Sequence, residues 1–336
     1  MKSSFSKNVF FIYFIIFMLS CMFNLYFGSI NFKSFFNLYI ESHELFGKIL
    51  KLRVINLMQV VLVGATLPLC GYILQKLLRN PLADPFILGV SSGGTFFSAL
   101  FLMVYPLIPI YYSSLFNVFP IQPIFAFVGC VFSFLIIFYM RKKILNVQDE
   151  FTYIIIGIIL NSFFSSLLLI IFTVAKPSQL LEIQNYLIGN IQQCSSIQLI
   201  FCYIIVSFII YKLLNYVKYL DILLFGDEFA KSIGVDPTHL RKKIIFLICI
   251  IISIVIVLSG SIAFIGLIIP HIIKRIHRFS SQFEVILSMI LGAIVLINAD
   301  TLSRTLFSPA QLSIGIFTAI LGAPLLSYIL FKRFKI

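Results

Sequence analysis

Apolar stretches long enough to cross a lipid bilayer recur along almost the whole of this chain, and that recurrence constrains its fold more than any other feature. They can be bounded at 9–28, 54–78, 86–105, 121–140, 151–175, 195–215, 244–261, 264–274, 285–301 and 312–331. A bilayer core takes roughly 20 apolar residues as a helix, whose backbone satisfies its own hydrogen bonds there. Hydrophobic residues fill 60% of the 336 positions and charged residues 11%. A soluble domain of this length could not bury so much apolar surface. The reading is an all-α polytopic membrane protein of about ten transmembrane helices, a single domain over residues 1–336. The eighth segment is short and carries Pro270, so a partial or broken helix is expected there.

Orientation follows from lysine and arginine. With the N-terminus inside and ten crossings, 19 of the 25 basic residues fall on the inner side. Only Lys33, Lys48, Lys51, Arg53, Lys176 and Arg304 fall outside. This is a strong positive-inside bias, and it places both termini in the cytoplasm. The formal charge of +13 would suit nucleic acid, but the basic residues occur as loop clusters, which points to the inner membrane face and to no nucleic-acid partner. Lys2 and Lys7 precede an apolar run, Val9–Phe27, that is longer than a signal-peptide core and lacks an A-x-A site, so an uncleaved first span is expected.

Between spans two and three lies LLRNPLADPFILGVSSGG, Leu77–Gly94. Asn80-Pro81 and Asp84-Pro85 each break the helical path, because proline disfavours helix in the residue before it. Ser91, Ser92, Gly93 and Gly94 then reopen the apolar run with little side-chain bulk, which lets helix backbones approach closely. The inner segment 216–243 is the longest cytoplasmic connection and the most polar. In it Asp227 and Glu228 open a short amphipathic turn. Phe229, Ala230 and Ile233 can form an apolar face, and Gly234 can end the turn as a C-cap.

Motifs for catalysis are lacking. There is no GxxxxGK[ST] loop, so the chain itself should not hydrolyse ATP, and no HExxH. The six cysteines form no CxxC pair and read as small buried hydrophobes, with no disulfide framework, metal site or cofactor implied. His271 follows Pro270 near a helix break and reads as a packed, hydrogen-bonded side chain. Asp300 is the carboxylate closest to a membrane segment. Arg304, four residues on, offers it a local pair.

Four ordered stretches resemble the permease subunits of binding-protein-dependent ABC importers for iron–siderophore complexes, haem and vitamin B12, the FecCD-type family. They are RNPLADPFILGVSSGG at Arg79–Gly94, FGDEFAKSIGV at Phe225–Val235, GSIAFIGLIIPHIIKR at Gly260–Arg275 and LSIGIFTAILGAP at Leu312–Pro324. Their motif positions of structural character are Asn80, Pro81, Asp84, Pro85, Gly89, Gly93, Gly266, Pro270, His271, Gly322 and Pro324. The resemblance implies a bacterial cytoplasmic-membrane permease working with a second permease copy or paralogue. Two ATP-binding subunits would lie beneath, and an extracytoplasmic substrate-binding protein would dock outside. It implies that Gly226, Asp227, Glu228, Phe229, Ala230 and Gly234 couple to the ATPase, and that Arg53 and Arg304 dock the binding protein. Arg53 opens RVIN, where the family commonly has R-x-P-R, so Ile55 and Asn56 replace the proline and the second arginine. The family's gate position falls on NVQDEFT, with Asp149, Glu150, Phe151 and Thr152, where small hydroxyl residues are common. The implied cargo is an iron complex (ferric siderophore, haem or ferric citrate) ahead of cobalamin.

Two other classes compete. A membrane enzyme acting on lipid or isoprenoid substrates needs convergent acids, histidines or metal ligands at one depth. The 12 acids of this chain lie mostly in inner loops. An ion-coupled secondary transporter needs mid-span carboxylates, and only Asp300 comes near.

Overall fold

The computed structural model describes residues 2–28, 43–105, 121–143, 151–192, 194–277, 279–308 and 310–334. Its elements among these are α-helices, in chain order α1 (Lys2–Tyr26), α2 (His43–Leu77), α3 (Val90–Val104), α4 (Gln122–Lys143), α5 (Phe151–Val174), α6 (Pro177–Ile188), α7 (Ser196–Leu223), α8 (Asp227–Ser232), α9 (Pro237–Ser259), α10 (Ile265–Ile276), α11 (Ser281–Thr305) and α12 (Ile314–Phe334). Each of the ten apolar segments has become a helix. Seven of them, α1, α2, α4, α5, α7, α9 and α11, are long and apolar enough to cross a membrane, while α3 and the Ile314–Tyr328 part of α12 are shorter apolar helices. The expected broken span is α10, 12 residues with Pro270 inside.

Two connections differ from the sequence reading. Residues 43–53, expected to belong largely to an outer loop, are the first turns of α2, whose 35 residues extend about 52 Å at the helical rise. That exceeds the hydrocarbon thickness, so the extra turns stand in water, where the Glu44–Lys48 pair at 2.6 Å supports them. The outer connection 176–194 holds α6. Pro177 occupies its first position, and the Gln179 side chain accepts from the Lys176 backbone N–H at 2.9 Å.

Helix α2 is the centre of the assembly, with α1, α7, α9, α10 and α11 around it. Helices α3, α4 and α5 form a second group, and α9 contacts both. Large exposed apolar side chains lie on the outer helices, such as Phe11 of α1, Ile158 of α5 and Phe208 of α7. In a membrane such faces meet lipid or another subunit. Because lipid gives helices no hydrophobic reason to associate, close backbone packing has to hold them. The tightest such place is Gly71 of α2 against Gly266 of α10, where a Cβ on Gly71 would lie 1.8 Å from the Gly266 carbonyl oxygen. In the second group, a Cβ on Gly93 of α3 would lie 2.0 Å from Ser133 Oγ and 2.7 Å from Gly129 O of α4.

Candidate functional site

The turn after α2 is built by its own polar atoms. The Asn80 side chain accepts from Leu82 N at 2.9 Å, and the Asn80 backbone N–H returns to Gln75 O at 3.0 Å. This is the local side-chain-to-backbone bonding that favours asparagine in turns. Asp84 and Pro85 are buried and Pro81 is half-buried. The Asp84 carboxylate lies under Gly266, where a Cβ would come within 2.6 Å of Oδ1. The carbonyl of Pro85 accepts from Val90 N and Ser91 N, both at 3.1 Å, at the start of α3. Gly89 precedes α3 with φ 77°, against Leu160 of α5, a backbone conformation that suits glycine. From α5, Asn161 Nδ2 donates to Phe86 O at 3.2 Å and Ile87 O at 3.3 Å. The motif positions Asn80, Asp84, Pro85 and Gly89 thus shape the joint among α2, α3, α5 and α10.

Beside this turn stands the proposed coupling segment. Short α8 begins at Asp227 and ends at Ser232, with a left-handed Gly234 (φ 82°) just beyond it. Gly234 N donates to Lys231 O at 3.0 Å and Val235 N to Ala230 O at 2.9 Å, a Schellman C-terminus. The anticipated apolar face divides in the structure. Ala230 is buried in the core, while Phe225, Phe229 and Ile233 are 77%, 49% and 50% exposed. Glu228 and Lys231 are also exposed. Downstream, Asp236 caps α9 by accepting from Thr238 N at 2.9 Å and His239 N at 3.4 Å. Those backbone N–H groups hold its carboxyl below the usual aspartate range.

Charged side chains tie this surface to the helices above it. Arg241 of α9 grips Asp227 with both guanidinium nitrogens, at 2.6 and 2.7 Å. Arg79 reaches the same carboxylate at 3.1 Å and also donates to Leu223 O, the last carbonyl of α7. Lys76 pairs with Asp221 of α7 and donates to Ser281 Oγ at the start of α11. Tyr72 donates to Glu284 at 2.8 Å, with the Lys274 and Lys76 ammonium groups 4.4 and 5.0 Å from its ring centre. Lys274 also donates to Gln75 Oε1 at 3.1 Å. These residues come from one side of the charge sorting, and the fold brings them to one end.

Sequence reasoning passed over Arg241, Asp221, Tyr72 and Glu284. A usable signal existed for the acids: with 12 acidic against 25 basic residues, each inner-side acid has several bases competing for it.

At the opposite end, Arg53 is 7% exposed and donates to Leu25 O at 2.6 Å and Tyr26 O at 3.1 Å. It covers the C-terminal carbonyls of α1, where a cation is favoured. Arg304 is half-buried and paired with Asp300, as the i,i+4 spacing anticipates. Asp300 is 2% exposed and also accepts from Asn24 Nδ2 of α1 at 2.9 Å and from Asn56 Nδ2 of α2 at 3.2 Å. The two arginines expected to dock a partner are thus both engaged internally in this conformation. A lone asparagine such as Asn24 in an apolar run marks an interhelical bond in advance. Asn56, which departs from the family's second arginine, serves Asp300 instead.

The remaining motif residues are structural in their surroundings. Pro270 is buried within α10, and His271 beside it is half-buried. Gly322 of α12 faces the Phe264 ring, with a Cβ only 2.4 Å from Phe264 Cβ. Phe264 itself has φ 70°. Pro324 lies exposed in α12. Of the gate positions, Asp149 and Glu150 lie outside the described residues, while Phe151 and Thr152 open α5.

Comparison with known proteins gives the same architecture. A metal-chelate-type ABC transporter solved in an inward-facing conformation matches with a TM-score of 0.79 and 25% identity, over 97% of this chain and 99% of that one. The hemin transport system permease protein of Yersinia pestis is 30% identical over 84% of this chain and 83% of its own length. The Fe(3+)-citrate import system permease protein of Bacillus subtilis is 29% identical over 80% and 78%. The molybdate import system permease protein of Haemophilus influenzae is 30% identical over 84% and 81%. The model of the FecCD transport family covers residues 13–332, so the chain belongs to the FecCD transport family.

Proposed function

We propose that this chain is the membrane-spanning, non-catalytic permease subunit of an ABC importer of the cytoplasmic membrane, moving an iron complex inward on ATP hydrolysed by two partner subunits. The observation that carries this reading is the surface at the cation-rich end. Phe229 stands exposed on a short helix, with Phe225 just before it and Ile233 just after it, and the carboxylate that opens the helix is fixed by two arginines. Exposed aromatic side chains on a rigid projection suit a pocket on a soluble partner. Gly226, Asp227, Glu228, Phe229, Ala230 and Gly234 shape that projection.

The path belongs between two permease copies. Helix α5 supports this, because Ser162, Ser165 and Ser166 lie exposed amid apolar residues at mid-helix, where polar groups favour a wet lining or a partner over lipid. Docking of a binding protein through Arg53 and Arg304 requires both guanidinium groups to exchange internal acceptors for partner carboxylates. The gate is assigned to the 149–152 region. Ion-coupled transport is disfavoured, since Asp300 already faces the Arg304 cation. Iron cargo rests on the haem and ferric citrate relatives, and the molybdate relative makes an oxyanion the comparison cargo.

Co-purification tests the reading. The chain is expected to retain ATP-binding subunits encoded with it. Replacing Phe225 and Phe229 with alanine is expected to cost about 2 kcal/mol each, roughly 30-fold in affinity per residue. Retention of wild-type affinity would remove the coupling role. Uptake of labelled ferric citrate, haem and molybdate by cells with and without the gene then identifies the cargo.

A further inference from the structure

Helix α8 is attached to the membrane domain in an unusual way. It has six residues, too few to hold itself as a helix. Gly226 (φ 117°) and Gly234 (φ 82°) flank it, and neither would-be Cβ finds an atom within 4 Å. Both ends are thus glycine joints in open space. What fastens α8 to the body is the burial of Ala230 together with the Asp227 carboxylate. Four helix ends converge on that carboxylate. Asp227 opens α8, Arg241 lies near the start of α9, and Arg79 follows the end of α2 while holding the last carbonyl of α7. Arg79 reaches this point from a left-handed backbone, φ 52°, which non-glycine residues adopt at a cost and which clusters at functional positions. Three residues earlier, Lys76 joins the same helix end to α7 and α11, and Gln75 joins it to Lys274 of α10.

We infer that Arg79 is a positioning residue that carries displacement of α8 into the membrane helices, through the Asp227 carboxylate it shares with Arg241. The inference rests on the permease reading above. Asp227 is 43% exposed and Arg79 38%, and ion pairs so open to water add little to stability. Geometry is their contribution. A two-sided grip on one carboxylate turns a helix hinged at both ends into one that cannot move without pulling the ends of α2, α7 and α9. Without Arg79, α8 still docks to a partner and stays tied to α9 through Arg241, but it loses its link to the ends of α2 and α7.

The test uses the complete transporter, with its ATPase subunits, in lipid nanodiscs. Hydrogen–deuterium exchange is compared between the nucleotide-free and the ATP–vanadate-trapped states over 151–192 and 260–276, far from α8 in sequence. Arg79→Asn keeps a residue tolerant of the left-handed backbone and removes the cation. It is expected to retain the ATPase subunits yet shrink the nucleotide-driven exchange difference by about fivefold or more. Asp227→Asn should do the same, and the double variant should be no worse than either single one. Arg79→Lys, which restores the charge, should recover most of the difference. A merely structural role would change the nucleotide-free exchange of Arg79→Asn and leave the difference intact. An undiminished difference in Arg79→Asn, or effects of the two single variants that multiply, would overturn the inference. A wild-type chain that retains no ATPase subunit overturns the permease reading instead.

Discussion

Replacing Gly71 with alanine is expected to destabilise the protein by about 3 kcal/mol or more, the upper range for forcing volume into a packed interior. The added Cβ would lie 1.8 Å from the Gly266 carbonyl oxygen and 2.5 Å from its carbon. Both are backbone atoms, so no side-chain rotation relieves the clash. Helices α2 and α10 have to separate instead. Separation strips contacts from the most interior helix of the fold and lifts Gly266 off the buried Asp84 carboxylate. The same helix supplies a control. Gly47, in the exposed first turns of α2, has nothing within 4 Å of its would-be Cβ, so Gly47→Ala should be neutral or stabilising by up to about 1 kcal/mol. Melting of the detergent-solubilised protein, followed by size-exclusion fluorescence, reads both. Equal melting of Gly71→Ala and wild type would contradict the close approach of α2 and α10.

The Asp300 cluster should give the second large effect. Asp300→Ala leaves the Arg304 guanidinium, whose side chain is only 14% exposed, without its carboxylate, and takes the acceptor from the Asn56 amide, while the Asn24 amide keeps Ile297 O and Thr301 Oγ1. Breaking a buried pair by removing one partner costs about 3–5 kcal/mol. Removing both, as in Asp300→Ala with Arg304→Met, should recover a substantial part of that loss, because the uncompensated charge goes with its partner. Asp300→Asn keeps the shape and an acceptor and should cost less than alanine. It also separates two functions. If Asp300 only joins α1, α2 and α11, Asp300→Asn continues to transport cargo. Loss of transport in a well-folded Asp300→Asn would instead mark it as an ion-coupling acid and return the secondary-transporter reading.

Much of the architecture was legible because it is local. Runs of apolar residues register the bilayer thickness directly, so all ten apolar segments appear as helices, including the short one broken at Pro270. Proline and glycine punctuation marked the turn at Asn80–Pro85 and the end of α8 at Gly234, since those conformations are decided within four or five residues. Counting apolar runs fails where a helix leaves the hydrocarbon. That is why the first turns of α2 and the whole of α6 were expected to be loop.

By itself, then, the sequence determined the helical class, the sorting of charges to one end, and the motifs that place the chain in its family. Only the tertiary structure decided which side chains meet. Arg79 finds Asp227 across 148 residues and Asn24 finds Asp300 across 276. Gly71 finds Gly266, a motif position whose partner the motif does not name. The reason is physical. In water, the polar face of a helix tells which way it is turned. In lipid the outward and inward faces are both apolar, so the pattern leaves rotation and register open. They are settled by where backbones can touch, at the paired glycines, and by where a few buried or half-buried charges can be satisfied.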